Sequence, residues 1–290
     1  MTPELLALYW TVSGPVEVHV GREWSLFDWP DRCAEARRVG FAGLGIWHAD
    51  LEHQLETSSL GEIRSTFDAH GLKHLELEFI MDWFLDPADE RRQASDKTRA
   101  LLFEAAAALD AHHIKVGNIP GHPCELSKLT EHFGELCADA GERTDAKIVY
   151  EFMPFDANVQ SVDAALAIVE GAAAPNGGVA IDTWHMSKLG IAPDELKRIP
   201  LEYLSWIELS DGQIASHDDP IDETINHRRL PGEGEFDIPG YIQACVEHGY
   251  SGPWGVEVLS EELRNNPIDV IFRRTYDTTA SQFEAERSEA

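Results

Sequence analysis

Eight short runs of aliphatic, β-branched and aromatic residues recur along this 290-residue chain, and each is followed by a longer amphipathic stretch. The second to sixth runs begin at residues 41, 75, 114, 148 and 179, so successive starts are 31 to 39 residues apart. That interval holds one strand, one helix and two loops, which is the spacing of βαβ units in a parallel sheet. The runs cover residues 5–10, 41–47, 75–80, 114–116, 148–152, 179–184, 204–209 and 254–258.

This pattern favours one closed barrel over two smaller domains. Residues 96–111 show the helical period, with Leu102 and Leu109 on one face and Glu104 on the other. An open doubly wound sheet is the alternative, but such sheets usually carry a glycine-rich first turn, and Gly43 and Gly45 lie within a strand without a third glycine. We therefore predict an α/β fold, a single (β/α)8 TIM barrel over residues 1–290.

Two segments are expected to depart from the regular alternation. Residues 211–240 are rich in glycine, proline and charged side chains, which predicts a long loop after the seventh strand. The polar residues 281–290 are predicted to form a frayed C-terminal tail.

The charge balance excludes several classes of function. Asp and Glu number 52 against 23 Lys and Arg, which gives a net charge of −29. Nucleic acids and anionic membrane surfaces are bound by basic clusters, so neither is expected as a partner. The N-terminus lacks a basic segment followed by an apolar one, and no window approaches about 18 uninterrupted apolar residues. With four widely spaced cysteines, we expect a cytoplasmic protein whose thiols are reduced.

Four of the last strands end in a carboxylate, at Glu151, Asp182, Glu208 and Glu257. The C-terminal ends of barrel strands face one mouth, so these acids are expected to converge there. Neighbouring carboxylates raise one another's pKa, and a bound divalent cation relieves that repulsion. Oxygen ligands favour Mg²⁺ or Mn²⁺ over zinc. The alternative for each acid is a helix cap or a solvated strand end.

Other polar and aromatic residues follow strands and are candidates for substrate binding. His48, Glu78 and Lys115 lie at or near the ends of strands two, three and four. Trp184 follows strand six, where an aromatic face suits the apolar side of a sugar ring. The alternative for His48, Glu78 and Lys115 is a salt bridge at the rim of the barrel. For Trp184 the alternative is packing in the core.

Several of these segments resemble the sugar phosphate isomerase/epimerase family, whose members have a xylose-isomerase-like barrel and belong with the AP endonuclease family 2 proteins. The family includes inosose dehydratases, dehydroshikimate dehydratases and, more distantly, endonuclease IV. The resemblance spans nearly the whole chain and implies one TIM barrel. It is carried by Glu151-Phe152-Met153-Pro154, Asp182-Thr183-Trp184-His185, Glu208-Leu209-Ser210-Asp211, Arg229-Leu230-Pro231-Gly232-Glu233-Gly234 and Val256-Glu257-Val258.

The resemblance implies a metal site with one departure from the family pattern. Glu151, Asp182 and Glu257 match acids that bind one divalent cation, expected here to be Mg²⁺ or Mn²⁺. The family has His or Gln at the position aligned with Glu208, so this residue is either a third glutamate ligand or is replaced by water.

Substrate-binding roles also follow from the resemblance. His185 and the loop arginines Arg229 and Arg228 are expected to reach substrate oxygens, with an ordinary surface charge as the alternative for Arg228. Glu151 and Glu257 lie on strands that Asp182 and Glu208 separate around the ring, so these two glutamates are expected to flank the substrate carbon and to form the acid/base pair.

Two reactions remain open on this framework. An isomerase or epimerase shifts a proton next to the carbonyl of a sugar or keto-polyol, and a dehydratase or lyase uses the same first step to expel a leaving group. Repair of abasic DNA is disfavoured by the charge and by Glu208, where a zinc site needs histidine. A non-catalytic sugar-binding barrel is disfavoured because unpaired buried carboxylates are costly. Substrate identity and homo-oligomer formation stay open.

Overall fold

In the computed structural model, which describes residues 3–119 and 122–289, eight parallel strands close into one barrel. Each strand pairs with the next along the chain, and the first pairs with the last. The predicted TIM barrel is confirmed. The strands are β1 (Leu5–Ala7), β2 (Gly43–Trp47), β3 (His74–Ile80), β4 (His113–Val116), β5 (Lys147–Glu151), β6 (Gly177–Asp182), β7 (Leu204–Leu209) and β8 (Trp254–Val256).

Helices connect the strands, and none in the described part of the chain is long and apolar enough to cross a membrane. Side-chain caps mark several starts: Ser59 forms a reciprocal capping box with Glu62, and Ser161 accepts a hydrogen bond from the Ala164 amide. The helices are α1 (Tyr9–Val12), α2 (Trp29–Val39), α3 (His48–Leu55), α4 (Leu60–Ala69), α5 (Glu90–Leu109), α6 (Leu126–Gly141), α7 (Val162–Ala172), α8 (Thr183–Lys188), a 3₁₀ helix (Pro193–Arg198), α9 (Pro220–Asn226), α10 (Ile238–His248), α11 (Glu261–Arg264) and α12 (Ile268–Glu289).

The structure differs from the sequence prediction at the chain's C-terminal end. Residues 281–289 continue α12 instead of fraying, and residue 290 lies outside the described residues. Phe283 is 7% exposed, and its ring centroid lies 5.2 Å from that of Trp254. Burial of this aromatic ring against β8 holds the last turns of the helix to the barrel.

The segment after β7 is more ordered than a simple loop. It contains α9, and Asp211 holds the turn that follows α9 by accepting hydrogen bonds from three amides. The Asp211 carboxylate receives the amides of Gly232 at 2.9 Å, Gly234 at 3.0 Å and Phe236 at 3.0 Å. This bracing fixes the segment over the C-terminal end of the barrel.

The interior of the barrel changes from apolar to charged along its axis. Leu6, Leu8, Val149, Ala180 and Trp206 form a buried apolar cluster. The large indole fits because β8 has a glycine at its point of closest approach, where a Cβ on Gly255 would lie 2.8 Å from Trp206 Cζ2. Charged side chains lie toward the strand ends beyond this cluster, and they form the candidate site.

Candidate active site

The centre of the site is a buried lysine surrounded by carboxylates. Lys115 extends from β4 into the barrel and is almost fully buried. Five acids approach its ammonium group, four of them on the three strands β3, β5 and β7 and one directly after β8, which makes Lys115 the main positive charge inside the barrel. The distances from Lys115 Nζ are 2.8 Å to Glu257 Oε1, 2.8 Å to Glu208 Oε1, 3.1 Å to Glu78 Oε2, 3.4 Å to Glu76 Oε1 and 3.7 Å to Glu151 Oε2.

A second buried cation, Arg228, lies beside Asp182 and Glu257. Its Nη1 is 2.7 Å from Asp182 Oδ2 and 3.5 Å from Glu257 Oε2. Its Nη2 donates to Thr224 Oγ1 at 2.9 Å, and its guanidinium carbon lies 4.8 Å from the ring centroid of Trp184. The arginine is therefore held on three sides and aimed at the carboxylates.

His185, on α8, lies between two of the predicted acids. Its Nε2 is 3.4 Å from Glu151 Oε1 and 3.5 Å from Asp182 Oδ2. The other ring nitrogen, Nδ1, is buried without a hydrogen-bond partner. The imidazole is placed to bridge these carboxylates to a bound molecule.

Burial and mutual repulsion set the protonation of the cluster. Burial raises the pKa of Glu76 to about 7, and it raises the pKa of Glu78 and Glu208 well above the ordinary range. For Glu151, burial is outweighed by Lys115 and His185, so its pKa is lowered. Burial also acts against the charge on Lys115, but the surrounding glutamates outweigh it and hold its pKa well above the usual value.

Glu76→Gln tests how much a negative charge on the buried Glu76 side chain lowers stability. Because the folded state raises the pKa of Glu76 from 4.5 to about 7, its contribution to stability is full below 4.5 and is lost as the pH rises through about 7. We expect the free energy of unfolding of the metal-free protein to fall over that pH range. In Glu76→Gln the same decrease should be smaller by up to about 3 kcal/mol. Urea unfolding at a series of pH values measures this. The exposed variant Glu202→Gln should keep the wild-type slope, and the same slope in Glu76→Gln would contradict the assignment.

The four acids that the sequence placed at strand ends do converge. Each offers a carboxylate oxygen that lies within 4.8 Å of those of the others. Glu151 Oε1 and Glu208 Oε2 are buried and accept no hydrogen bond from the described residues. The six buried acids of the site outnumber its two buried cations, Lys115 and Arg228, and a bound cation would favour the ionised forms of these acids. An all-oxygen set of this kind fits a hard divalent cation such as Mg²⁺ or Mn²⁺.

The site opens into a cavity of about 300 Å³. Glu151 and Glu257 line this cavity, whereas Asp182 and Glu208 lie behind them and do not. Glu78, Lys115, His185 and Arg228 complete its polar end. Most of the remaining wall is apolar: Trp10, Val18, Trp47, Phe79, Met81, Ile119, Met153, Phe155, Ile221, Ile225 and Leu259.

Three predicted substrate-binding residues lie away from the cavity wall. Trp184 is 1% exposed and packs under Arg228 instead of facing the cavity. His48 is half-buried, and its Nδ1 faces the Phe79 amide at 3.4 Å, while burial lowers its pKa. Arg229 pairs with Asp211 through its main chain and does not line the cavity. A direct substrate contact is not supported for these three.

The sequence interpretation missed Glu76, which the structure places in the centre of the site. Its side chain is fully buried, and Lys115 and His113 lie close to it. The signal was present, because Glu76 and Glu78 alternate with Leu75 and Leu77 along β3 and must therefore share the interior face.

Comparison with known proteins relates most of the chain to one family. The family model described as a xylose isomerase-like TIM barrel matches residues 33–275. The 3-dehydroshikimate dehydratase of Pseudomonas aeruginosa is 25% identical over 243 residues, which cover 82% of this chain and 37% of that protein. The inosose isomerase of Halalkalibacterium halodurans is 23% identical over 236 residues, covering 79% of this chain and 82% of its own length.

A solved structure gives the same fold. The IolI protein, determined with a bound zinc atom, superposes with a TM-score of 0.80 at 18% identity, over 98% of this chain and 99% of its own. The chain spans only about a third of the dehydratase, 37% of its length, so the longer protein has a large part with no counterpart here.

Proposed function

Because the chain belongs to the xylose isomerase-like TIM barrel family, we propose that it is a divalent-cation-dependent isomerase or epimerase that moves a proton next to the carbonyl of a sugar or keto-polyol. One observation carries the proposal: of the four converging acids, Glu151 and Glu257 line the cavity. They come from β5 and from the residue after β8, so β6 and β7 separate them around the barrel. A carbon atom bound between them is within reach of two carboxylates.

The residues that would hold the cation are Glu151, Asp182 and Glu257, with Glu208 as the fourth ligand. Their oxygens are the ligands that Mg²⁺ and Mn²⁺ prefer. When bound, the cation supplies positive charge that polarises a carbonyl oxygen and makes the neighbouring carbon a stronger acid.

The remaining residues position the acid/base pair and the substrate. Lys115 donates to Glu257 Oε1 at 2.8 Å and so orients this carboxylate, which we assign as the base. Glu151 is the partner that returns the proton, and its Oε1 accepts no hydrogen bond from the described residues. His185, 3.4 Å from that oxygen, and Arg228 are placed to hold substrate oxygens.

A dehydratase is the second candidate, favoured by the 25% identity to a 3-dehydroshikimate dehydratase over 82% of this chain. Its first step is the same removal of a proton by Glu257. The outcomes then diverge, because Glu151 would protonate a departing hydroxyl group instead of the carbon atom.

Hydrogen exchange tests both candidates together. The Mn²⁺-loaded protein is incubated in D₂O with ketoses, inososes and keto sugars, and the products are followed by NMR. The expected result is deuterium on the carbon next to the carbonyl, or loss of water from the substrate. Glu257→Gln is the control and should abolish the exchange. Failure of every carbonyl compound to exchange with the metal-loaded protein would overturn the proposal.

Glu208→Gln tests the fourth ligand. Loss of one negative charge is expected to weaken binding of Mg²⁺ or Mn²⁺ while leaving the barrel folded, because the amide keeps an acceptor oxygen near Lys115 and Trp206. Isothermal titration calorimetry measures the affinity, and circular dichroism checks the fold. Glu202→Gln, on the surface, is the matched control. Equal metal affinity in Glu208→Gln and the wild type would mean that Glu208 is not a ligand.

A further inference from the structure

The cavity has two chemically distinct ends. Charged side chains gather where Glu151, Glu257 and Lys115 meet, at the strand ends. The outer wall is built from residues at or after the C-terminal ends of β1, β2, β3, β4, β5 and β8 and from α9, and its described residues are almost entirely apolar. The buried aromatic and methionine side chains of this wall, among them Trp10, Trp47, Phe79 and Met153, form one packed cluster.

The apolar wall leaves few partners for hydroxyl groups. Among the described residues of the outer wall, the polar side chains are His19 and Thr224. The Thr224 hydroxyl oxygen already accepts a hydrogen bond from Arg228 Nη2 at 2.9 Å. The Trp47 indole nitrogen donates to Glu23 Oε2 at 3.1 Å. A free sugar has a hydroxyl on nearly every carbon, and burying these against this wall without hydrogen bonds costs free energy.

The rim of the cavity also exposes apolar side chains. Ile119 is 36% exposed and Ile221 is 40% exposed, and both line the cavity. Exposed apolar surface that is continuous with a cavity is typical of a site that covers an apolar group of a ligand.

We propose that the substrate is a hydroxylated carbonyl compound that carries an apolar substituent, an alkyl or aryl group, bound against this outer wall. The inference rests on the proposed function, because the reacting carbon must lie at the charged end. The substituent then points outward past Leu259 and Ile221 toward the rim. Burial of this group supplies binding free energy at a distance from the reacting carbon.

Binding of unreactive glucosides tests the proposal. Phenyl and methyl β-D-glucoside are titrated into the full chain with Mg²⁺ by isothermal calorimetry. We expect phenyl glucoside to bind at least about tenfold more tightly, which corresponds to burial of one aromatic ring. Along a series of n-alkyl glucosides, affinity should rise about threefold to fourfold for each buried methylene group.

Variants locate the effect in the cavity. Leu259→Asn and Ile221→Asn should each lower the preference for phenyl over methyl glucoside several-fold. Val246→Asn alters a residue that is 47% exposed on α10, away from the cavity, and should match the wild type. A preference that is the same in all three variants would overturn the proposal.

The remaining outcomes separate this inference from the proposed function. Equal affinity for the two glucosides, or no measurable binding of either, overturns the proposal that the substrate carries an apolar substituent. Free ketoses or inositol binding as tightly as phenyl glucoside also overturns it, although the proposed proton transfer then stands. If benzyl alcohol binds as tightly as phenyl glucoside, the apolar wall is supported, whereas a hydroxylated substrate at the charged end is not.

Discussion

Lys115→Met is expected to lower the free energy of unfolding by about 3–5 kcal/mol, the usual cost of removing one partner from a buried ion pair. The physical reason is the crowding of negative charge, because five carboxylates lie within 3.7 Å of this ammonium group and are shielded from water. Methionine keeps most of the side chain's volume, so the loss reports charge more than packing. Urea unfolding followed by circular dichroism at neutral pH measures it.

Two controls identify the cause of that loss. Lys197→Met removes an exposed lysine that pairs with Asp194 and Glu247, where water screens the charges, so little change is expected. The deficit of Lys115→Met should shrink as the pH falls through about 7, because protonation of Glu76 there removes part of the repulsion. A loss in Lys115→Met that is no larger than in Lys197→Met would show that the central charge is not needed for stability.

The barrel was predictable because its signal repeats. Each of the eight apolar runs overlaps one strand, and the starts predicted for β1, β7 and β8 agree with the structure. Errors occurred where a strand passes straight into a helix without a turn residue. Asp182 ends β6 and caps α8 by accepting the Trp184 amide at 2.7 Å, so residues 183–184 continue the apolar run but are helical. A single residue, Leu8, separates β1 from α1, so residues 9–10 of the first apolar run are likewise helical.

The convergence of the four acids was predictable from topology alone, since strand ends in a barrel meet at one mouth. The positions of the cations were not. Lys115 reaches acids on distant strands through a long side chain, which depends on barrel register. Arg228 and Arg229 are neighbours on an extended segment whose side chains alternate, and the pairing of Arg229 with Asp211 turns Arg228 toward the site. That choice between two arginines needs the tertiary structure.

The proton-transfer pair gives the largest expected effect on activity. Glu257→Gln and Glu151→Gln should each lower the rate by ~10²- to 10⁴-fold on whichever carbonyl compound exchanges deuterium, because an amide neither removes nor returns a proton. Both residues are also expected cation ligands, so each variant is assayed with saturating Mn²⁺ and its bound metal is measured. Glu247→Gln, an exposed glutamate on α10, is the matched control and should retain the wild-type rate.

Comparison of the two variants tests which carboxylate removes the proton and which one returns it. With Glu257 as the base, Glu257→Gln should abolish deuterium uptake from D₂O. Glu151→Gln should still exchange the proton that Glu257 removes but form product slowly, because return of the proton or departure of the hydroxyl group is impaired. An exchange defect in Glu151→Gln alone would reverse the two roles for that direction of the reaction. Near-normal turnover in either metal-loaded variant would refute the paired mechanism, since the second cavity-lining carboxylate would then be dispensable.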